Sequence, residues 1–218
     1  MPYKKSQGYI LADPRKIAAD APYTFFLPGP AEIAAVAVGD LVQLIFEYQH
    51  EIEEWGAERM WVEVYRIDGG RLTGALQNEP FEPTTSLSVG AAIPFRRLNI
   101  IDIVWADPDS APPMQAAREY WQRCLVDECV LERSQPVEFL YREAPDLDQE
   151  GDTYPDSGWR IRGCKGEVSD AEIEARRVVY VALGAVLNAD DSWLHLVDEP
   201  IGSRFIRNFG TGEYVSAD

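Results

Sequence analysis

Histidine and cysteine are scarce in this chain: it has two histidines and three cysteines among 218 residues. His50 opens the charged stretch His50-Glu51-Ile52-Glu53-Glu54, and His195 sits between two leucines in the other half. Neither has a neighbouring metal-ligand pattern or a GxSxG-like nucleophile, so metal and triad chemistry find no foothold, and no metal or cofactor is expected. Cys124, Cys129 and Cys164 show no CxxC pairing, which removes the spacing of a zinc site and leaves a reduced, cytoplasmic chain as the simplest account. Positive charge is also in deficit. Lys and Arg total 20 against 37 Asp and Glu, a formal net charge of −17 that opposes approach to phosphate backbones and anionic leaflets. Nucleic acid and membrane are therefore not expected partners. No apolar run reaches the roughly 20 residues that cross a bilayer. After Lys4 and Lys5, the residues Asp13, Arg15 and Lys16 break the pattern a secretory signal would need.

What is present is a chain able to bury a sizeable core, with 46% hydrophobic and 26% charged residues and length for one large or two small domains. Through Asp109 it reads as strands. In Gly39 to Tyr48 the residues Val42, Leu44, Phe46 and Tyr48 fall on one face, opposite Gln43 and Glu47. Met60 to Ile67 alternates again, Asp68-Gly69-Gly70 tolerates positive φ, and Arg71 to Leu76 returns as the second arm of a hairpin. Ala91 to Phe95 and Ile100 to Trp105 continue the rhythm, with Pro94 placing its strand at an edge or at its own end. The expectation is an α+β protein: an antiparallel β-rich sheet or small open barrel over residues 1–109, then an α+β domain over 110–218.

The shift comes at Asp107-Pro108-Asp109-Ser110-Ala111-Pro112-Pro113, a linker ending in prolines where a helix can start. Met114, Ala117, Trp121, Cys124 and Leu125 then recur at helical spacing, which predicts an amphipathic helix whose stripe, Trp121 above all, docks into the core. Cys124 and Cys129 read as small core residues. Pro136 to Tyr141 reads as a strand. Ser169-Asp170-Ala171-Glu172 is a capping box that opens a helix ending near Arg177. Val178 to Leu183 reads as a buried strand ending at Gly184, with continuation as helix into Val186-Leu187 as the alternative. Asn188 to Ser192 suits a turn that caps a short helix from Trp193.

Two groups of carboxylates invite chemistry. Asp146, Asp148, Glu150 and Gly151 stand where a calcium loop wants positions one, three, five and six, but position twelve is Ser157 and Pro155 blocks the exiting helix, so a solvated acidic loop is the better account. Asp190 and Asp191 are adjacent, yet acid and base roles need divergent pKa values in a water-excluding pocket, and an N-cap is the simpler role. Trp61 and Glu63 share a strand face as a ligand-facing pair or, more often, as packing with a carboxylate paired to Arg59 or Arg66.

Two stretches resemble known families. Ser157-Gly158-Trp159-Arg160, Leu183-Gly184-Ala185-Val186-Leu187-Asn188, Asp191-Ser192-Trp193-Leu194 and Pro200-Ile201-Gly202-Ser203 resemble the C-terminal domain of a bacterial family of immunity proteins from polymorphic toxin systems. Gly39-Asp40-Leu41-Val42, Glu58-Arg59-Met60-Trp61-Val62-Glu63-Val64 and Gly74-Ala75-Leu76-Gln77-Asn78-Glu79-Pro80 look like a widespread bacterial domain of unknown function. The first resemblance implies a non-catalytic binding protein that neutralises a cognate protein toxin, and the acidity of the chain would suit a basic one. Its acidic patches would be Glu51, Glu53 and Glu54, and Asp146, Asp148, Glu150 and Asp152, steering the partner by long-range attraction. The competing reading is a carboxylate-based enzyme or small-ligand sensor that uses a groove between the halves, with Trp61, Glu63, Asp190 and Asp191 converging there.

Overall fold

Alternation of apolar and polar residues builds two separate sheets in the computed structural model, which describes residues 8–49, 56–83, 85–113, 118–147, 151, 153–166 and 168–217. The chain divides into two compact units: residues 1–20 with 25–117, and residues 21–24 with 118–218. Among the described residues, no helix is long and apolar enough to cross a membrane.

The first unit holds β1 (Tyr9–Leu11), α1 (Arg15–Asp20), α2 (Pro30–Ala35), β2 (Leu41–Tyr48), β3 (Ala57–Asp68), β4 (Arg71–Leu76), β5 (Ala92–Arg96) and β6 (Ile100–Val104). Its strands pair antiparallel in the order β1-β2-β3-β4-β5, with β6 also on β2, and the sheet curls into a nearly closed barrel. The predicted inward set of β2 is fully enclosed, Val42, Leu44 and Phe46 each at 0% exposure and Tyr48 at 8%. Gly69, with φ at 59°, turns β3 into β4 as its sequence requires. β5 lies at one end of the strand order, so Pro94 costs no ladder bond to a further strand.

Buried polar groups in this unit are fasteners. Asp40 accepts from the Ala37 and Ala106 amides at 2.8 and 2.9 Å, tying together the segments before β2 and after β6. Glu58 takes the Tyr48 hydroxyl at 2.7 Å and the Phe81 and Glu82 amides at 2.8 and 2.7 Å. Both residues belong to the quoted resemblance motifs, and both hold backbone.

The second unit holds β7 (Arg123–Asp127), α3 (Glu128–Leu131), β8 (Val137–Arg142), β9 (Asp156–Gly163), α4 (Asp170–Glu174), β10 (Val178–Ala182), α5 (Leu183–Ala189), β11 (Arg204–Arg207) and β12 (Tyr214–Ser216). The sheet order is β10-β7-β9-β8-β11-β12, with β7 parallel to β9 and every other pair antiparallel. One face buries Cys124, Val126, Leu140 and Ile161 beneath Leu183, Val186 and Leu187 of α5.

Three local expectations are corrected here. The amphipathic helix from Met114 to Leu125 does not form: residues 114–117 lie outside the described residues, 118–122 are not helical, and Arg123–Asp127 is a strand. Cys124 and Val126 alternate inward at period two, and pairing on both edges by β9 and β10 outweighs a helical stripe of four or five residues. Trp121 is consequently half-buried, not a core anchor. Its ring lies 6.0 Å from that of Tyr154, and its Nε1 donates to Glu119 at 2.8 Å. The strand from Val178 stops at Ala182 and α5 begins at Leu183, so Gly184 sits inside a helix; a Cβ there would lie 2.6 Å from the Tyr23 carbonyl oxygen. The capping box forms between Ser169 and Glu172 as read, but its helix ends at Glu174, short of Arg177.

Candidate functional site

The Gly158-Trp159-Arg160 run in β9 is the densest polar constellation in the second unit. Gly158 has φ at +81°, and a Cβ at that position would stand 2.1 Å from the Glu143 carbonyl oxygen, so only glycine lets β8 approach. Trp159 is fully buried, donates Nε1–H to the Val197 carbonyl at 3.1 Å and meets Trp193 edge-on at 5.8 Å. Arg160 is 3% exposed and uses every N–H of its guanidinium. Nε donates to Glu143 at 2.5 Å, Nη1 to Asp156 at 2.9 Å and to the Trp159 carbonyl at 3.2 Å, and Nη2 to Asp146 at 2.9 Å and Asp156 at 2.8 Å. The fork onto Asp156 is bidentate. Burial pushes the Asp156 carboxyl up, but Arg160 and the Gly158 amide outweigh it and hold the group below its ordinary value. The Arg160 guanidinium, hydrogen-bonded to Asp156, is held above its own.

A second enclosed carboxylate, Asp127, accepts from the Gly163 amide at 3.0 Å and lies 3.3 Å from Arg162 and 3.5 Å from Arg176. Arg176 also forks onto the Gly163 and Cys164 carbonyls at 2.8 Å each, closing the segment after β9.

The adjacent pair after α5 is engaged within its own unit. Asp190 accepts from the Val137 amide at 2.8 Å and the Ser192 amide at 3.0 Å, with Arg207 at 3.3 Å. Asp191 accepts from the Tyr23 hydroxyl at 2.7 Å, and Asn188 takes the Tyr23 amide at 2.9 Å while donating to the Thr24 hydroxyl at 2.6 Å. Burial first, then Asp191, pushes the Tyr23 phenol up to about 12. Sequence reasoning missed this clasp because Tyr23 and Asn188 are separated by 165 positions.

In the first unit, Trp61 is half-buried and its amide donates to the Asn78 side chain at 2.6 Å, while Glu63 is exposed and accepts from Gln77 at 3.1 Å. Each member of the proposed groove quartet thus has a partner inside its own unit. Of the acidic patches, Glu51, Glu53, Glu54, Asp148, Glu150 and Asp152 lie outside the described residues. Asp146 is described, 70% exposed at its side chain, and attached to Arg160.

The remaining face of the second sheet is assembled by register. Ile206 stands opposite Phe139 on one side and Val215 on the other, and Tyr141 pairs with Arg204. The Phe139 and Tyr141 rings lie 5.6 Å apart, and Ile206 and Val215 are 42% and 50% exposed. This apolar strip carries none of the residues of the buried core. Glu143 and Asp146 follow from the end of β8 with exposed side chains, so two carboxylates border the strip, both attached to the Arg160 guanidinium, while Asp156 lies buried beneath.

No curated protein and no solved structure matches the chain. Residues 124–217, which run from β7 through β12, match the family model of the Immunity protein Imm33 domain, so the C-terminal half carries an immunity-protein domain.

Proposed function

We propose that this chain is a non-catalytic immunity protein of a polymorphic toxin system, acting in the cytoplasm by binding a cognate, basic protein toxin directly. The immunity-protein domain carries the reading. It is supported by how the conspicuous polar residues of that domain are spent: Arg160, Asp156, Asp190 and Asn188 hold backbone or one another, and Asp191 holds the Tyr23 hydroxyl. The strip of Phe139, Tyr141, Ile206 and Val215 is the binding surface, with aromatic anchors at its centre and carboxylates at its border. An excess of 17 negative charges speeds encounter with a cationic partner.

The test pairs the purified protein with the toxin encoded beside its gene and follows association and dissociation across a salt series. Ile206→Asp with Val215→Asp is expected to raise the dissociation rate at least about tenfold, as loss of anchors does. Neutralising the Glu51–Glu54 or Asp146–Asp152 carboxylates lowers the association rate and flattens its salt dependence, since the Debye length contracts to about 3 Å at 1 M ionic strength. Parent dissociation kinetics in the double aspartate variant would reject the surface, and a toxin that never binds would reject the function.

A further inference from the structure

The first unit contains a feature at odds with the acidity of the chain. Where its barrel stays open, the end of β1, the β3–β4 hairpin and the end of β5 line a recess of about 670 Å³. Arg66, Arg71 and Arg96 all line it. All three are exposed, and among the described residues none donates a side-chain hydrogen bond, forms an ion pair or stacks on a ring. Two carboxylates share the lining, but Asp13 is committed to Arg15, which leaves Asp68 against three guanidinium groups.

The register makes this arrangement costly. Arg71 pairs directly with Arg96 across β4 and β5, and like charges placed opposite one another destabilise a sheet. Asp68 sits across from Arg71 on the other side, yet forms no ion pair with it. Solubility gives no reason to gather unpaired arginines here, because the chain already carries 37 carboxylates. Arginine forks match carboxylate and phosphate oxygens two at a time, and a recess of this size holds a small organic molecule. Ile10 and Leu98, 49% and 38% exposed, supply apolar wall beside the charges.

We propose that the open seam of the first unit is a binding site for a small organic anion bearing two or more phosphate or carboxylate groups, held by Arg66, Arg71 and Arg96. More than one anionic group is required because three guanidinium forks line the recess, and a single carboxylate or phosphate oxygen pair engages one fork at a time. The site stands apart from the toxin-binding reading and does not depend on it.

The full chain is titrated calorimetrically with inorganic pyrophosphate and, separately, with citrate, in the parent, in Arg71→Gln/Arg96→Gln and in the control Arg177→Gln on the second unit. Saturable 1:1 binding of either probe to parent and control, weakened at least tenfold in the double variant, is the expected result; pyrophosphate alone assigns a phosphate ligand, citrate alone a carboxylate one. Thermal melts separate binding from folding: without probe the double variant melts at or above the parent temperature, and probe raises the melting temperature of the parent and of the control but not of the double variant. Failure of both probes to bind at millimolar concentration, or equal binding by parent and double variant, would overturn the site.

Discussion

Arginine does opposite work in the second sheet and at the recess of the first unit. In the second, Arg160 spends all its donors on Asp156, Glu143, Asp146 and a carbonyl, Arg142 reaches the Ser157 and Glu199 carbonyls, and Arg176 closes the turn after β9. At the recess, Arg66, Arg71 and Arg96 stand exposed and without a side-chain partner among the described residues, whereas Arg97 of the same unit holds the Ile33 and Val36 carbonyls. An arginine whose donors are saturated inside the fold is a fastener, and a bidentate fork on an enclosed carboxylate leaves no donor for a ligand. Arginine type or motif membership does not tell the two apart; partner and burial do. The Gly158-Trp159-Arg160 motif, prominent in sequence, therefore reports on the fold of the immunity-protein domain, and the inconspicuous arginines of the barrel are the ones available for recognition.

The largest expected effect breaks this contrast directly. Arg160→Met strands Asp156, whose side chain is 0% exposed, without its counter-charge, and the loss of one partner from a buried pair costs about 3 to 5 kcal/mol. Arg71→Met, at an exposed site with no partner, should stay within about 0.5 kcal/mol of the parent. Urea melts followed by probes in each unit separately check both, because two units need not unfold together. Equal effects would erase the distinction. Acid sharpens it further. Asp156 lies below its ordinary value of 3.8 in the folded protein, so its contribution is complete above that value and is lost as pH falls through the lower folded one. Asp156→Asn, beyond its own cost, should flatten the acid limb of the stability curve of the second unit.

Gly158→Ala comes next. Its left-handed backbone costs a non-glycine residue about 1 to 3 kcal/mol, and the added Cβ would further drive the Glu143 carbonyl away from β9. Gly70→Ala, in open space beside the β3–β4 turn and without positive φ, should be tolerated. Denaturation midpoints for the two alanines decide it.

Legibility followed the range of the interactions. The barrel strands could be read because β2, β3 and β4 alternate over six to twelve residues and a glycine turn joins two of them. The capping box was legible for the same reason, being complete within four positions. β7 was not, since its five residues sit among apolar side chains at spacings a helix also satisfies, and only pairing on both edges chooses the strand. Arg160 was visible as part of a motif, but its partners Glu143 and Asp146 come from the segment after β8, across a chain reversal. An acidic segment preceding a strand that carries two arginines was the available signal. The clasp of Tyr23 on Asn188 and Asp191 left no local trace.

That clasp supplies the smallest effect. Tyr23→Phe removes one hydrogen bond to an exposed carboxylate, worth about 0.5 to 1.5 kcal/mol, and leaves the ring near Tyr120, 5.8 Å away, in place. The folded phenol is pushed up to about 12 from 10.0, so its contribution is complete below pH 10 and is lost as pH rises through about 12. Tyr214, also pushed up to about 12 by burial, titrates in the same window, so the variant should lose only part of the alkaline limb. Near-ultraviolet phenolate absorbance of parent and Tyr23→Phe across that range separates the two tyrosines. A parent-like alkaline limb in the variant would mean that Tyr23 ionises without loosening residues 21–24 from the second unit, and that the Asn188 bonds to the Tyr23 amide and Thr24 hydroxyl hold the segment unaided.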